Sequence, residues 1–307
     1  MVEARTEQVH RHAAGLDVQP PETVLRILAE AQVEAASAVA SAAPSIAKAA
    51  SRAAQVLGGG GRLAYAAAGS SGLMAMADAL ELPGTFGIAR DRIDILLAEG
   101  AAELLNFPAG PEDNETQAAH DVAAAGIGMG DCLIALSASG ATPYAVAALK
   151  AAKAAGAATI GVANNAGAPL LSLADIAILL PTPPEVIAGS TRMGAATAQK
   201  IALNMMSTLM AIHLGHVHDG HMVNLHAGNK KLRSRAARIV AAISGRTEQE
   251  AAHYLDESGG SVKAAVLLAA GAADVGDARR MLDGASQNLR EALAKLDGSP
   301  PARQLGT

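Results

Sequence analysis

The chain has 307 residues, 24 Lys plus Arg against 29 Asp plus Glu, and a single cysteine. Half of it is hydrophobic, yet aromatic residues make up only 2% and Trp is absent, so the apolar fraction is mostly Ala, Val, Leu and Ile, the residues of helices and buried parallel strands. Hydrophobicity with a net charge of only -5 excludes a disordered chain, one cysteine excludes a disulfide scaffold, and the missing basic excess and stacking aromatics give nucleic acid no footing as a partner.

Residues 1–19 are polar and charged and hold no apolar segment of the kind an export signal needs. Ala31 to Leu57 is Ala-rich but is broken by Glu34, Pro44, Lys48 and Arg52, so it reads as two helices rather than a membrane span. A cytoplasmic enzyme is the default class. Thr23 to Val56 has helical composition, with Pro44 marking a break or a new first turn, and Gly58 to Gly61 ends it. Arg62 to Ala68 predicts a buried strand, and Leu73 to Leu80 a helix after it. Further strands are expected at Arg92–Ala98, Asp131–Leu136, Ala157–Ala163 and Asp175–Leu180, and helices at Thr142–Ala155 and Thr191–Leu214. Strands alternating with helices imply an α/β fold, a parallel sheet covered on both faces.

A second region begins near Arg235. Thr247 with Glu250 fits a capping box, and Glu248–Asp256, Val262–Ala270 and Asp277–Leu282 read as three short helices. The expected organisation is a helical segment over 1–56, a sheet domain over 57–235, a C-terminal three-helix bundle over 236–296 and a frayed tail over 297–307. The bundle is similar to the ubiquitin-associated type and is expected to act as a lid, with Lys263 reaching toward the bound ligand.

Two strands run directly into Ser/Gly segments that open helices, Gly69-Ser70-Ser71-Gly72 and Ser137-Ala138-Ser139-Gly140-Ala141-Thr142. Helix N-termini offer unpaired N–H groups and partial positive charge, hydroxyls add donors, and glycine permits close approach. Ordinary capping explains one such loop; two, together with Gly189-Ser190-Thr191-Arg192, point to a phosphate site. The common nucleotide loops are missing: no Gly-x-x-x-x-Gly-Lys-Ser/Thr occurs, and Gly59-x-Gly61-x-x-Ala64 precedes its strand instead of following it; without a Gly-x-Ser-x-Gly elbow, serine hydrolase chemistry has no local support either. Among carboxylates, Glu81 sits in the apolar run Leu80-Glu81-Leu82-Pro83, which would raise its pKa and suit a general acid, and Glu112 sits in the turn Gly110-Pro111-Glu112-Asp113. The segment His213 to His221 tempts a metal reading, with His213 and His216 on one helix face and His218 and Asp219 close by, but Gly215 and Gly220 break the helix that would fix ligand geometry, and no metal is expected. Cys132, on a buried strand, reads as a small core residue.

At Gly189-Ser190-Thr191-Arg192-Met193-Gly194-Ala195-Ala196-Thr197-Ala198-Gln199-Lys200, continuing to Asn204 and Ser207-Thr208, the sequence resembles the N-acetylmuramic acid 6-phosphate etherases, relatives of the glucokinase regulatory protein. Gly69-Ser70-Ser71-Gly72, Asp78-Ala79-Leu80-Glu81, Gly110-Pro111-Glu112-Asp113, Ser139-Gly140 with Thr142-Pro143-Tyr144, and Asn229, Lys231, Leu232 and Arg235 match as well. The opening Glu3-Ala4-Arg5-Thr6 matches loosely. The resemblance implies a five-stranded parallel αβα sandwich of the sugar-isomerase (SIS) type, a homodimer, peptidoglycan sugar recycling and no metal or organic cofactor. It implies cleavage of the lactyl ether of N-acetylmuramic acid 6-phosphate to N-acetylglucosamine 6-phosphate and D-lactate. Glu112 would remove the C2 proton, and Glu81 would assist lactate departure and water addition. Ser70, Ser71, Gly72, Ser137, Ser139, Gly140, Thr142, Ser190, Thr191 and Arg192 would bind the phosphosugar, with Lys263 from the lid. The sequence departs from the family pattern at Leu73, where Arg is usual, at Gly194, where Lys is usual, and at Ala196, where Gly is usual. A phosphosugar isomerase, or a phosphosugar-binding regulator without catalysis, is the competing reading.

Overall fold

A computed structural model describes residues 5–98, 100, 110–225 and 230–296. Glu3, Ala4, Asn229 and the tail expected over 297–307 lie outside the described residues. The chain divides into two compact units, one of residues 1–79 and 91–209, the other of residues 80–90 and 210–307.

The first unit opens with helix α1 (Pro21–Ala38), a single 3-10 turn (Val39–Ala42) and helix α2 (Ala43–Gly58). Pro44 lies in the first turn of α2, where its missing N–H costs nothing, so the proline starts a helix rather than kinking one. The five expected strands are present as β1 (Leu63–Ala67), β2 (Ile93–Leu97), β3 (Cys132–Ser137), β4 (Ala158–Ala163) and β5 (Ile176–Leu179). They form one parallel sheet in the order β2-β1-β3-β4-β5. Every residue of β1, β3 and β4 is buried, as central strands covered on both faces require. Cys132 is among them, and burial pushes its thiol up to about 12.

On one face Ala64, Ala66, Leu133 and Ala135 pack with helix α4 (Glu115–Ala124), helix α5 (Pro143–Ala154) and the short helix α6 (Pro169–Leu173). Side chains alternate along a strand, so Tyr65 points to the opposite face. There its hydroxyl donates to Asp78 on helix α3 (Gly69–Phe86) at 2.9 Å. Asp78 is 3% exposed and also accepts from Asn204 Nδ2 at 3.0 Å and Ser207 Oγ at 2.9 Å, both on helix α7 (Gly194–His213). Helices on both faces make the fold a three-layer αβα sandwich. Helix α3 begins four residues earlier than the sequence pattern predicts, so Gly69-Ser70-Ser71-Gly72 is its first turn rather than a loop before it. Helix α4, which the pattern did not foretell, is started by Asn114, whose side chain accepts from Gln117 N–H at 2.9 Å.

Among its described residues the second unit contains a small hairpin, β6 (Val217–His218) with β7 (His221–Met222), and the helices that follow it. The three expected helices are α9 (Glu248–Glu257), α10 (Val262–Ala270) and α11 (Val275–Asp283), and the Thr247–Glu250 capping box closes in both directions. Helices α8 (Lys230–Ser244) and α12 (Leu289–Leu296) pack with them, and the centre is filled by Val240, Leu255, Val266, Leu267, Leu282 and Leu289. No helix among the described residues is long and apolar enough to cross a membrane.

Candidate phosphosugar site

The order β2-β1-β3-β4-β5 sends the chain from β1 to one side and from β3 to the other, so the carboxyl ends of β1 and β3 flank a topological switch point. Open parallel sheets bind ligands in the crevice there, because diverging crossovers leave a gap above the strands. The register pairs Ala67 with Leu136, so both Ser/Gly segments leave the sheet at this level, side by side.

Within the β3 loop, Ser137 is the hub. It is 2% exposed, its Oγ lies 2.7 Å from Thr142 Oγ1 and 3.1 Å from Ser139 Oγ, and it accepts the N–H of Gly140 at 2.9 Å. Ser139 Oγ accepts the N–H of Ala141 at 3.2 Å. Thr142 precedes α5 yet makes no side-chain cap there, because its hydroxyl is turned to Ser137. Gly140 has φ 69°, and a Cβ would stand 2.4 Å from Ala168 Cβ and 2.8 Å from Ala163 Cβ, so no other residue fits. Ser70 and Ser71 occupy the first turn of α3, Ser71 buried and Ser70 partly exposed. Ser190 and Thr191 form the turn before α7, and Arg192 is exposed there.

Both candidate carboxylates are exposed. Glu112 lies in a 3-10 turn, Pro111–Asp113, beside a cavity of about 540 Å³ lined by Leu97, Ala98, Gly110, Pro111, Asn114 and Asp121. Glu81 is on the outer side of α3 with Leu80, which is 43% exposed, so the apolar run around it does not enclose its carboxylate in this chain. Lys263 is 3% exposed, and its ammonium donates to the carbonyl of Gln287 at 2.9 Å, a contact internal to the second unit. Burial brings its pKa down to about 8. In the 213–221 segment His218 pairs with His221 across the β6–β7 hairpin and lies 3.6 Å from Asp219, while His216 lies 3.5 Å from Asn224 Nδ2. Among the described residues no three potential metal ligands gather.

Three further residues shape this region. Glu185 is 4% exposed and accepts the N–H groups of Gly194 and Ala195, at 2.9 and 2.8 Å. Asn164 accepts from Gln199 Nε2 at 3.0 Å and donates to Thr182 at 3.2 Å, and its neighbour Asn165 reaches the β3 loop. An Asn-Asn pair directly after a buried parallel strand is a signal a sequence reader can use. Glu185 carries none, since its partners are set by the chain turning back on itself.

Residues 102–214 match the SIS domain family model. An N-acetylmuramic acid 6-phosphate etherase of Deinococcus radiodurans is 43% identical over 291 residues, 95% of each chain. The chain belongs to the N-acetylmuramic acid 6-phosphate etherase family. An etherase of Symbiobacterium thermophilum is 45% identical over 80% of this chain and 81% of its own length. One of Streptomyces avermitilis is 38% identical over 94% and 93%. In this etherase family member, the fingerprint residues Asn204 and Ser207 turn inward to Asp78, and Lys200 Nζ donates to Asn204 at 2.9 Å. That part of the fingerprint ties α7 to α3. The departure at Gly194 also has a local setting: a Cβ there would lie 3.1 Å from both Ala35 Cβ and Glu185 Oε2.

Proposed function

We propose that the chain cleaves the D-lactyl ether of N-acetylmuramic acid 6-phosphate, giving N-acetylglucosamine 6-phosphate and D-lactate. The observation that carries this is the paired Ser/Gly turns at the switch point of a chain whose relatives are etherases over nearly their whole length. The phosphate is the anchor, held by hydroxyl and N–H groups of the segments 70–72, 137–142 and 190–191, with Arg192 as cationic partner for an anionic group.

The chemistry follows from the sugar. In the open-chain form the C2 proton is beside the aldehyde and is acidified. Glu112 takes that proton; the C3–O bond breaks, and the ether oxygen leaves with lactate, receiving a proton from Glu81. The resulting unsaturated aldehyde adds water, OH to C3 and H to C2. The balance is one water consumed, and the base, acid and anchor each contribute through position and protonation state. The working form is a homodimer, as the resemblance implies, and exposed Leu25 and Val33 on α1 offer apolar surface for it. A cytoplasmic role in peptidoglycan sugar recycling fits the substrate.

The test is turnover in deuterated, oxygen-18 water. The product sugar should gain one deuterium at C2 and one heavy oxygen at C3, and the lactate should gain no heavy oxygen. Heavy oxygen in lactate would overturn elimination. Isomerisation of sugar phosphates without lactate release would favour the isomerase reading, and phosphosugar binding with no C2 exchange the regulator.

A further inference from the structure

Thr6 fastens two of the hydroxyl-bearing segments together with all three of its polar groups. Its N–H donates to Asn165 Oδ1 at 3.2 Å, its hydroxyl accepts from Asn165 Nδ2 at 3.0 Å, and its carbonyl accepts the N–H of Gly189 at 3.2 Å. Gly189 opens the turn that carries Ser190 and Thr191. Asn165 Nδ2 also lies 3.3 Å from the carbonyls of Ala138 and Ser139, in the loop built on Ser137. Thr6 is 4% exposed and Asn165 6%, so water does not compete for these bonds.

The effect on the loop follows from peptide geometry. A trans peptide points its C=O and N–H in opposite directions. Two successive carbonyls drawn toward Asn165 turn the N–H groups of Ser139 and Gly140 the other way. The N–H of Gly140 is taken by Ser137 Oγ at 2.9 Å. The N–H of Ser139 meets no partner among the described residues. An N–H fixed in direction and left unpaired, beside three hydroxyls, is what an anion requires; the Ala138 carbonyl opposite it is held by the Asn164 N–H at 3.0 Å together with Asn165 Nδ2 at 3.3 Å, and Thr6 sets the Asn165 amide.

We propose that Thr6 is a positioning residue for the phosphate group: through Asn165 it orients the backbone of residues 138–140, and through Gly189 it holds the Ser190–Thr191 turn in register with that loop. The inference rests on the phosphosugar reading above. It assigns a role to the N-terminal segment that composition and spacing leave blank. Thr6 touches no substrate; it acts through the two loops.

The experiment is calorimetric binding of N-acetylglucosamine 6-phosphate and of inorganic phosphate to the full chain, alongside lactate-release kinetics. Thr6→Val keeps shape and backbone but loses the hydroxyl. It should weaken binding of both probes and raise KM by about tenfold, with kcat within about twofold, since one buried hydrogen bond is worth about a factor of ten. Thr6→Ser should restore wild-type affinity. Asn165→Ala should show the same loss, and the double variant no more than either single one, because both act on one linkage. A Thr6→Val protein with a lowered melting temperature but unchanged affinity overturns the proposal, as does a Thr6→Ser protein as weak as Thr6→Val, or full additivity in the double variant. If the wild type itself binds neither probe, the phosphosugar reading falls and this inference with it; if the wild type binds and Thr6→Val binds equally, this inference alone falls.

Discussion

The carboxylate of Glu185 sits on the N-terminus of α7, with Oε2 accepting the N–H of Gly194 at 2.9 Å and Oε1 that of Ala195 at 2.8 Å. The helix that carries most of the family fingerprint is therefore already capped by an internal anion. Its macrodipole is complemented within the chain, and the segments at 70–72, 137–142 and 190–191 are the ones proposed above for the substrate's phosphate. The arrangement makes Glu185 a structural carboxylate.

Glu185→Gln replaces one acceptor oxygen by a donor that faces another donor, in a position 4% exposed. The expected loss is about 1–3 kcal/mol of folding free energy, from two charge-assisted bonds and the dipole interaction together. Urea unfolding followed by circular dichroism measures it. An unchanged midpoint would show that water or a rearranged loop replaces the cap.

The two candidate carboxylates are expected to separate in their isotope behaviour. Glu112→Gln should lose both C2 deuterium exchange and lactate release, each by about 10²–10⁴, because no base starts the reaction. Glu81→Gln should lose lactate release by a similar factor and keep C2 exchange, because deprotonation precedes departure of the ether oxygen. Proton NMR of the C2 signal, with an enzymatic lactate assay, reads both. Identical exchange behaviour in the two variants would contradict the division of roles.

The sheet was legible because its strands are short apolar runs bounded by glycine and hydroxyl residues, and the five predicted spans agree with β1 to β5 within a residue or so at each end. The turn after β3 was legible for the same reason: hydroxyl residues and glycine directly follow a buried strand and precede a helix. Helix α4 was not, since its polar, weakly patterned sequence depends on the Asn114 cap and on packing against α5. Asp78 was visible only as part of a family stretch, and its function as the acceptor for Tyr65, Asn204 and Ser207 comes from three elements meeting. Thr6 was the least legible, for its partners Asn165 and Gly189 are more than 150 residues away in sequence. Lys263 illustrates the converse. At the start of a lid helix Lys263 is expected to reach toward a bound ligand, yet its ammonium is buried against the carbonyl of Gln287, whose φ of 64° marks a left-handed turn that this bond helps to hold.

Near the same lysine, the partly buried His216 gives the second unit an acid-sensitive element. Burial, and after it the charge of Lys263, hold His216 down at about 4, against a smaller opposing pull from the Phe86 carbonyl. In the unfolded chain His216 takes a proton near its ordinary 6.5. Between pH 6.5 and 4 the unfolded state thus binds a proton that the folded state refuses. Stability falls as pH drops through that window and stops falling, on this account, below about 4. The slope from one such group is at most about 1.4 kcal/mol per pH unit, and less here because the ring is only partly buried. His216→Gln should flatten this limb of the urea midpoint against pH. Lys263→Met removes the second cause, so the imidazole should titrate higher in that variant, above 4 and toward 6.5. Ring-proton NMR of His216 in both proteins reads the two values directly. A wild-type His216 that titrates at 6.5 in the folded protein, or a Lys263→Met variant that leaves it unmoved, would refute the coupling.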